Sequence, residues 1–177
     1  MGIKNQSVTQ GRTTLLDAVN VLLANIGEQP INSLETEQID ESKQAERTIL
    51  EFHKEGQTKG WSWNTEFQYP FQKDSITKEI TVPENILQFA LDPYLYAGRY
   101  QLRGQRIYDL QERRYIMEET VTEIKADVIW LLPWDDVPEA YNRWITIRAS
   151  RVFTARVLGS DALFKYTSQD ESDALVV

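Results

Sequence analysis

The sequence predicts an α+β protein: an antiparallel helical bundle of about four helices, drawn from both chain ends, carrying an inserted and mostly antiparallel β lobe. Three observations predict it. Apolar residues recur at helical spacing near both ends of the chain, the period changes to two from Trp61 onward, and helical spacing returns after Pro133. Residues 1–60 and 134–177 are therefore assigned to the bundle and 61–133 to the β lobe, with no linker long enough to free one from the other.

The first helix follows a polar start. Thr13 or Thr14 supplies the cap, Leu15, Leu16, Val19, Leu22, Leu23 and Ile26 follow with amphipathic spacing, and Gly27 is the stop. The turn Gly27-Glu28-Gln29-Pro30 leads to a second helix from near Asp40. Ala45, Ile49, Leu50 and Phe52 form its buried side; Glu46, Arg47, Glu51, Lys54 and Glu55 form its wet side, with His53 on that solvated face. Gly56 weakens the last turns and Gly60 ends them.

From Trp61 the pattern alternates. Trp61, Trp63, Thr65, Phe67, Tyr69 and Phe71 fall on one face of a strand, and Ser75–Pro83 reads as a second one. Arg103-Gly104-Gln105 reads as a turn between short strands in YQLRGQRIYDL, and residues 113–133 supply further Val-, Ile- and Thr-rich strand material. The stretch from Trp130 to Gly159 then forms a central helix. Asp135 or Asp136 is its expected cap, Pro138 fits its first turn and Gly159 closes it. Ile145, Val152, Ala155 and Trp144 lie on one side, Ala149, Phe153 and Val157 on the next, and Ile147 on the back, so this helix is contacted on several sides. A last helix is expected from Ser160-Asp161.

Arg148 falls within that apolar stripe. An unpaired buried guanidinium costs several kcal/mol, so it needs a carboxylate, carbonyls or a wet subunit boundary, within the chain or between subunits.

Composition narrows the function. The chain has 177 residues, 41% of them apolar and 11% aromatic, enough for one good core with a sizeable inserted lobe. It has no cysteine, which removes disulfides, thiol nucleophiles and thiolate zinc sites, and its single histidine gives no relay and no imidazole metal set; no cofactor is expected. The start of the chain does not read as a signal peptide or a myristoylation site, and no run reaches membrane-spanning length. The net charge of −8 is spread: 6 basic and 9 acidic residues over 1–60, 8 and 11 over 61–133, 5 and 7 over 134–177. That disfavours tight, sequence-independent DNA binding and a sequence-specific DNA regulator, but suits a surface that DNA must pass without sticking.

Chemistry-bearing motifs are few. No P-loop, dinucleotide turn or nucleophile elbow occurs. The acid groups Asp135-Asp136 with Glu139, Glu118-Glu119 and Asp170-Glu171 admit a glycan-cleaving alternative, since a glycosidase needs two carboxylates across a cleft. Helix capping and surface roles account for them more simply. One basic cluster stands out: Arg99, Arg103, Arg106, Arg113 and Arg114, interleaved with Tyr94, Tyr96, Tyr100, Tyr108 and Tyr115. Arg and Tyr together stack nucleic acid or make protein contacts, and the overall acidity favours a protein partner.

Four pieces of the chain, LLDAVNVLLANIGEQPINSL (15–34), AERTILEFHKEGQTKGWSWNTE (45–66), RGQRIYD (103–109) and WLLPWDDVPEAYNRWITIRASRVF (130–153), occur in an order that resembles the tail tubular protein A family of T7-like, short-tailed bacteriophages. The resemblance implies a non-enzymatic adaptor of the virion tail, assembled in the host cytoplasm. It implies a homo-oligomeric, dodecameric ring between the portal and a nozzle of the tail tubular protein B kind, with transient contact to double-stranded DNA and none to membrane. Neighbours in such a ring meet through two different faces. Trp144, Arg148 and Arg151 are the candidates for one, and Arg99, Arg103, Arg106, Tyr108, Arg113 and Arg114 for a contact with a neighbour or the nozzle.

Overall fold

The computed structural model describes residues 11–35 and 40–159; the helix expected from Ser160 and the pair Asp170-Glu171 lie outside them. The architecture is α+β, with four α-helices among the described residues and an inserted antiparallel sheet. The chain divides into two compact units, Met1–His53 with Pro133–Val177, and Lys54–Leu132.

In the first unit, α1 spans Leu15–Asn25. Thr14 caps it: its hydroxyl accepts from Asp17 N at 3.1 Å while Asp17 Oδ2 accepts from Thr14 N at 3.0 Å, a reciprocal capping box. These bonds from the Thr14 side chain and backbone hold the Asp17 carboxyl below its ordinary range. α2 spans Asp40–Gln57. Ala45, Ile49 and Phe52 are buried as expected, whereas Leu50 is exposed. His53 corrects the sequence reading further: it is 4% exposed, with its ring 5.4 Å from Trp134 and 5.7 Å from Tyr141, so it belongs to the core and not to a solvated face. The helix register alone could not show this, because the covering rings come from the far end of the chain.

α4, Glu139–Leu158, packs on α1 and is buried on several sides, by Tyr141, Trp144, Ile145, Ala149 and Phe153. A second buried row, Asn142, Thr146, Ser150 and Thr154, runs along it at four-residue spacing. Three of these side chains are hydrogen-bonded: Asn142 Nδ2 donates to Trp134 O at 3.0 Å, Thr146 Oγ1 to Asn142 O at 2.8 Å, and Asn25 Nδ2 to Ser150 Oγ. The expected cap is corrected. Trp134–Asp136 forms a 3-10 turn and Pro138 occupies the cap position without a side-chain bond, so neither Asp135 nor Asp136 caps α4. The region is held instead from the start of the chain, by Arg12 donating to Asp135 O and Val137 O and by Thr13 donating to the Glu139 carboxylate. Gly159 ends α4 in the left-handed conformation, as expected.

In the second unit, β1 (Thr65–Gln72), β5 (Glu123–Trp130) and β2 (Ile86–Leu91) make an antiparallel sheet with β5 in the middle. Between β2 and the hairpin lies α3, a single turn over Pro93–Tyr96 capped by Asp92. The hairpin pairs β3 (Tyr100–Arg103) with β4 (Arg106–Asp109) around Gly104-Gln105, the turn read from the sequence. Phe71, Ile80, Ile107, Met117, Ile124 and Val128 centre the core.

Three strand expectations change. Trp61–Asn64 is a turn and not strand, so β1 starts at Thr65. Within β1, Phe67 and Gln68 together oppose Asp127, a bulge that Asp127 Oδ1 holds by accepting from Gln68 N at 2.9 Å, with Gln68 at φ +54°. The extra residue puts Tyr69 and Phe71 on the core face opposite Ala126 and Ile124 and leaves Phe67 76% exposed. Ser75–Pro83 is not a regular strand. Asp74 Oδ1 accepts from Ile76 and Thr77 N to form a turn, and only the Thr81 bridge to Arg106 is strand-like. β2 was not assigned from the sequence.

Two buried amides close this unit where the chain passes in and out of it. Gln57 exchanges two 2.9 Å bonds with the backbone of Leu132, Nε2 to O and N to Oε1. Asn64 accepts from Trp61 N at 2.8 Å and donates to Gln57 O at 3.1 Å and Trp130 O at 2.9 Å. Gly60 completes the turn at φ +72°, where a Cβ would stand 2.9 Å from Ile129 Cδ1. Replacing Asn64 by Ala strands buried backbone groups and lowers stability by about 3 kcal/mol. Urea unfolding measures the loss, together with faster amide exchange at Trp130; Thr58→Ala, at an exposed hydroxyl, changes little.

Candidate interaction surface

The basic cluster is built on the β3–β4 hairpin. Its turn places Arg103 directly opposite Arg106, a like-charge pair that would repel if left bare. Both guanidinium groups are stacked instead. Arg103 lies over Tyr108 at 3.9 Å and Arg106 over Tyr115 at 4.0 Å, and the two rings meet edge-on at 4.9 Å. Alternation along β4 explains the arrangement. Arg106 and Tyr108 share the outer face while Ile107 and Asp109 point into the core. Arg106 also reaches Glu79, Nη1 to Oε1 at 3.2 Å; Arg103 has no carboxylate partner among the described residues.

Arg99 has a different position. Its Nε and Nη2 donate to Asp109 Oδ2 at 2.9 and 2.7 Å, and Nη2 also donates to Glu118 Oε1 at 2.9 Å. Asp109 is 1% exposed, and its second oxygen accepts from Gln111 N at 2.9 Å and Glu112 N at 3.1 Å. Burial pushes this carboxyl up, but the Arg99 bonds and the two backbone N–H groups outweigh it and hold the group below the usual carboxylate range. Arg99 thus braces the hairpin base. Arg113, at φ +55°, and Arg114, 3.8 Å from Glu112, are exposed on the loop that follows β4. Burial also pushes up the Tyr100 hydroxyl beside this brace.

On α4, Trp144 is 3% exposed and packs edge-on against Tyr141, so it backs the surface from within. Arg148 is half-buried, with its guanidinium 4.7 Å from the Phe52 ring and 5.7 Å from Trp144; Arg151 is half-buried too. Trp144 beside Arg148 agrees with the sequence reading, whereas the Phe52 ring is not legible there, because Phe52 belongs to α2.

The acid groups are placed individually. Glu118 binds Arg99, Glu119 stands 3.9 Å from Lys78, Glu139 accepts from Thr13, and Asp135 and Asp136 are exposed. Among the described residues no group of three or more acidic or histidine side chains is placed to hold a metal ion, and no helix is long and apolar enough to cross a membrane.

The profile of the family described as tail tubular protein matches residues 16–177. The chain belongs to the tail tubular protein family. Its members' shared identity makes this chain a structural protein of the bacteriophage tail. No curated protein matches it. The exposed Arg and Tyr side chains of this tail tubular protein are residue types enriched at the centres of protein–protein contacts.

The Arg99–Asp109 brace has a measurable pH signature. Asp109 titrates lower in the folded chain than unfolded, so its contribution is complete above the unfolded value near pH 4 and is lost as pH falls through the folded one. Asp109→Asn lowers stability by roughly 3 kcal/mol at pH 7. The gap between variant and wild type narrows toward pH 3, as followed by urea unfolding across pH.

Proposed function

We propose that this chain is the adaptor of the tail tubular protein A kind: a dodecameric ring docked beneath the portal and above a nozzle of the tail tubular protein B kind, with the genome passing through it. It assembles in the host cytoplasm and remains in the virion tail. The observation that carries this reading is the family match across residues 16–177, together with the four sequence pieces that resemble the A-type adaptors in order. The net charge of −8 supports it, since a channel wall that repels phosphate lets DNA slide and does not retain it.

Arg148 and Arg151, backed by Trp144, form one subunit contact in this reading. The half-buried Arg148 guanidinium lies 4.7 Å from the Phe52 ring and 5.7 Å from the Trp144 ring, and Arg and Trp are residue types enriched at the centres of protein contacts.

The test is assembly. The purified chain mixed with its portal gives a ring by native mass measurement and by imaging of the complex. Arg148→Met keeps the packing on Phe52 and weakens ring formation at least about tenfold while the subunit stays folded. Unchanged docking by that variant returns Arg148 to an intrachain role, and a wild type that makes no ring on the portal ends the adaptor reading.

A further inference from the structure

The hairpin face has the properties of a ready-made carboxylate receptor. Stacking occupies only the flat face of a guanidinium, so Arg103 keeps its in-plane N–H donors for a partner, and Tyr108 has already ordered the side chain. Arg113 is likewise exposed without a carboxylate partner among the described residues, and Ile116 stands 51% exposed nearby in sequence. Two such faces cannot meet each other, because a two-fold contact would set arginine against arginine. The partner must present acid.

The chain itself carries that acid on its other unit. Arg12 and Thr13 tie the start of α1 to the start of α4, which gathers Asp17, Asp135, Asp136 and Glu139 at one corner. Asp17 and Glu139 are engaged with Thr14 and Thr13, and Arg12 is turned onto backbone carbonyls. Asp135 and Asp136 are exposed and their carboxylates have no partner among the described residues. Nothing in the cap of α4 uses them.

We infer that the Arg103–Tyr108 face of one copy docks on the Asp135–Asp136 corner of the next copy. The contact is heterologous, joining two different patches, and therefore propagates around a ring instead of stopping at a dimer. It rests on the adaptor reading and adds to it the two surfaces that pair.

Charge exchange on the full chain tests this, with ring yield on the portal read by native mass measurement and fold by circular dichroism. Arg103→Glu with Arg113→Glu lowers ring yield about tenfold or more, and Asp135→Lys with Asp136→Lys does the same. The variant carrying all four changes recovers rings, since every copy then offers both reversed patches. If the lysine pair does not fold, Asp135→Asn with Asp136→Asn gives the same direction of loss. Rings formed normally by the glutamate pair, or a four-fold variant that folds without assembling, overturn the pairing. So does a wild type held on duplex DNA and released by the glutamate pair, which assigns the face to phosphate. A wild type that forms no ring sinks the adaptor reading and this contact with it, a result distinguishable from failure of the pairing alone.

Discussion

The amide clamp formed by Gln57 and Asn64 is the constraint on which the inserted unit depends. An insertion has to leave its host domain and come back at nearly the same place, and the chain ends of this one are joined by side chains that imitate strand backbone. Gln57 gives Leu132 one donor and one acceptor, the complement a neighbouring strand would supply, and Asn64 serves Trp61, Gln57 and Trp130 together. Such groups are strong where water is excluded and costly where left incomplete, so the two ends of this unit are held to each other in one geometry. Gly60 belongs to the same device: it supplies a left-handed turn and the space that Ile129 fills.

The helical unit solves a related problem at α4. A helix covered on several sides buries some of its polar residues, and Asn142, Thr146 and Ser150 are small enough to be buried with hydrogen bonds made along the helix or to Asn25 and Trp134. The start of α4 is fastened by Arg12 and Thr13 rather than by its own aspartates. That leaves Asp135 and Asp136 exposed at the surface.

The function of a tail tubular protein lies in how its surfaces are prepared. On the hairpin, aromatic stacking converts a repulsive arginine pair into an ordered row of donors, and the Arg99–Asp109 brace fixes the strand base beneath it. One cluster of arginines in the sequence therefore serves two purposes: Arg99 is spent within the fold, and Arg103 and Arg113 remain available. Spacing along the chain does not separate these roles. Facing Asp109 or facing Tyr108 depends on strand parity and on what lies across the hairpin.

The sequence by itself determined whatever rests on neighbours within a turn or two. A threonine cap at Thr13 or Thr14, the runs of α1 and α2, the Arg103-Gly104-Gln105 turn and the Gly159 stop all depend on residues a few positions apart, so they are legible in the sequence. Tertiary structure decided the rest, because the deciding partner is distant. Asp127 lies 59 positions from the Gln68 it holds in the bulge, Leu132 lies 75 positions from Gln57, and Tyr141 covers His53 from 88 positions away. Periodicity measures only the chain's own faces. Which of those faces is covered, and by what, is settled when segments remote in sequence exclude water together.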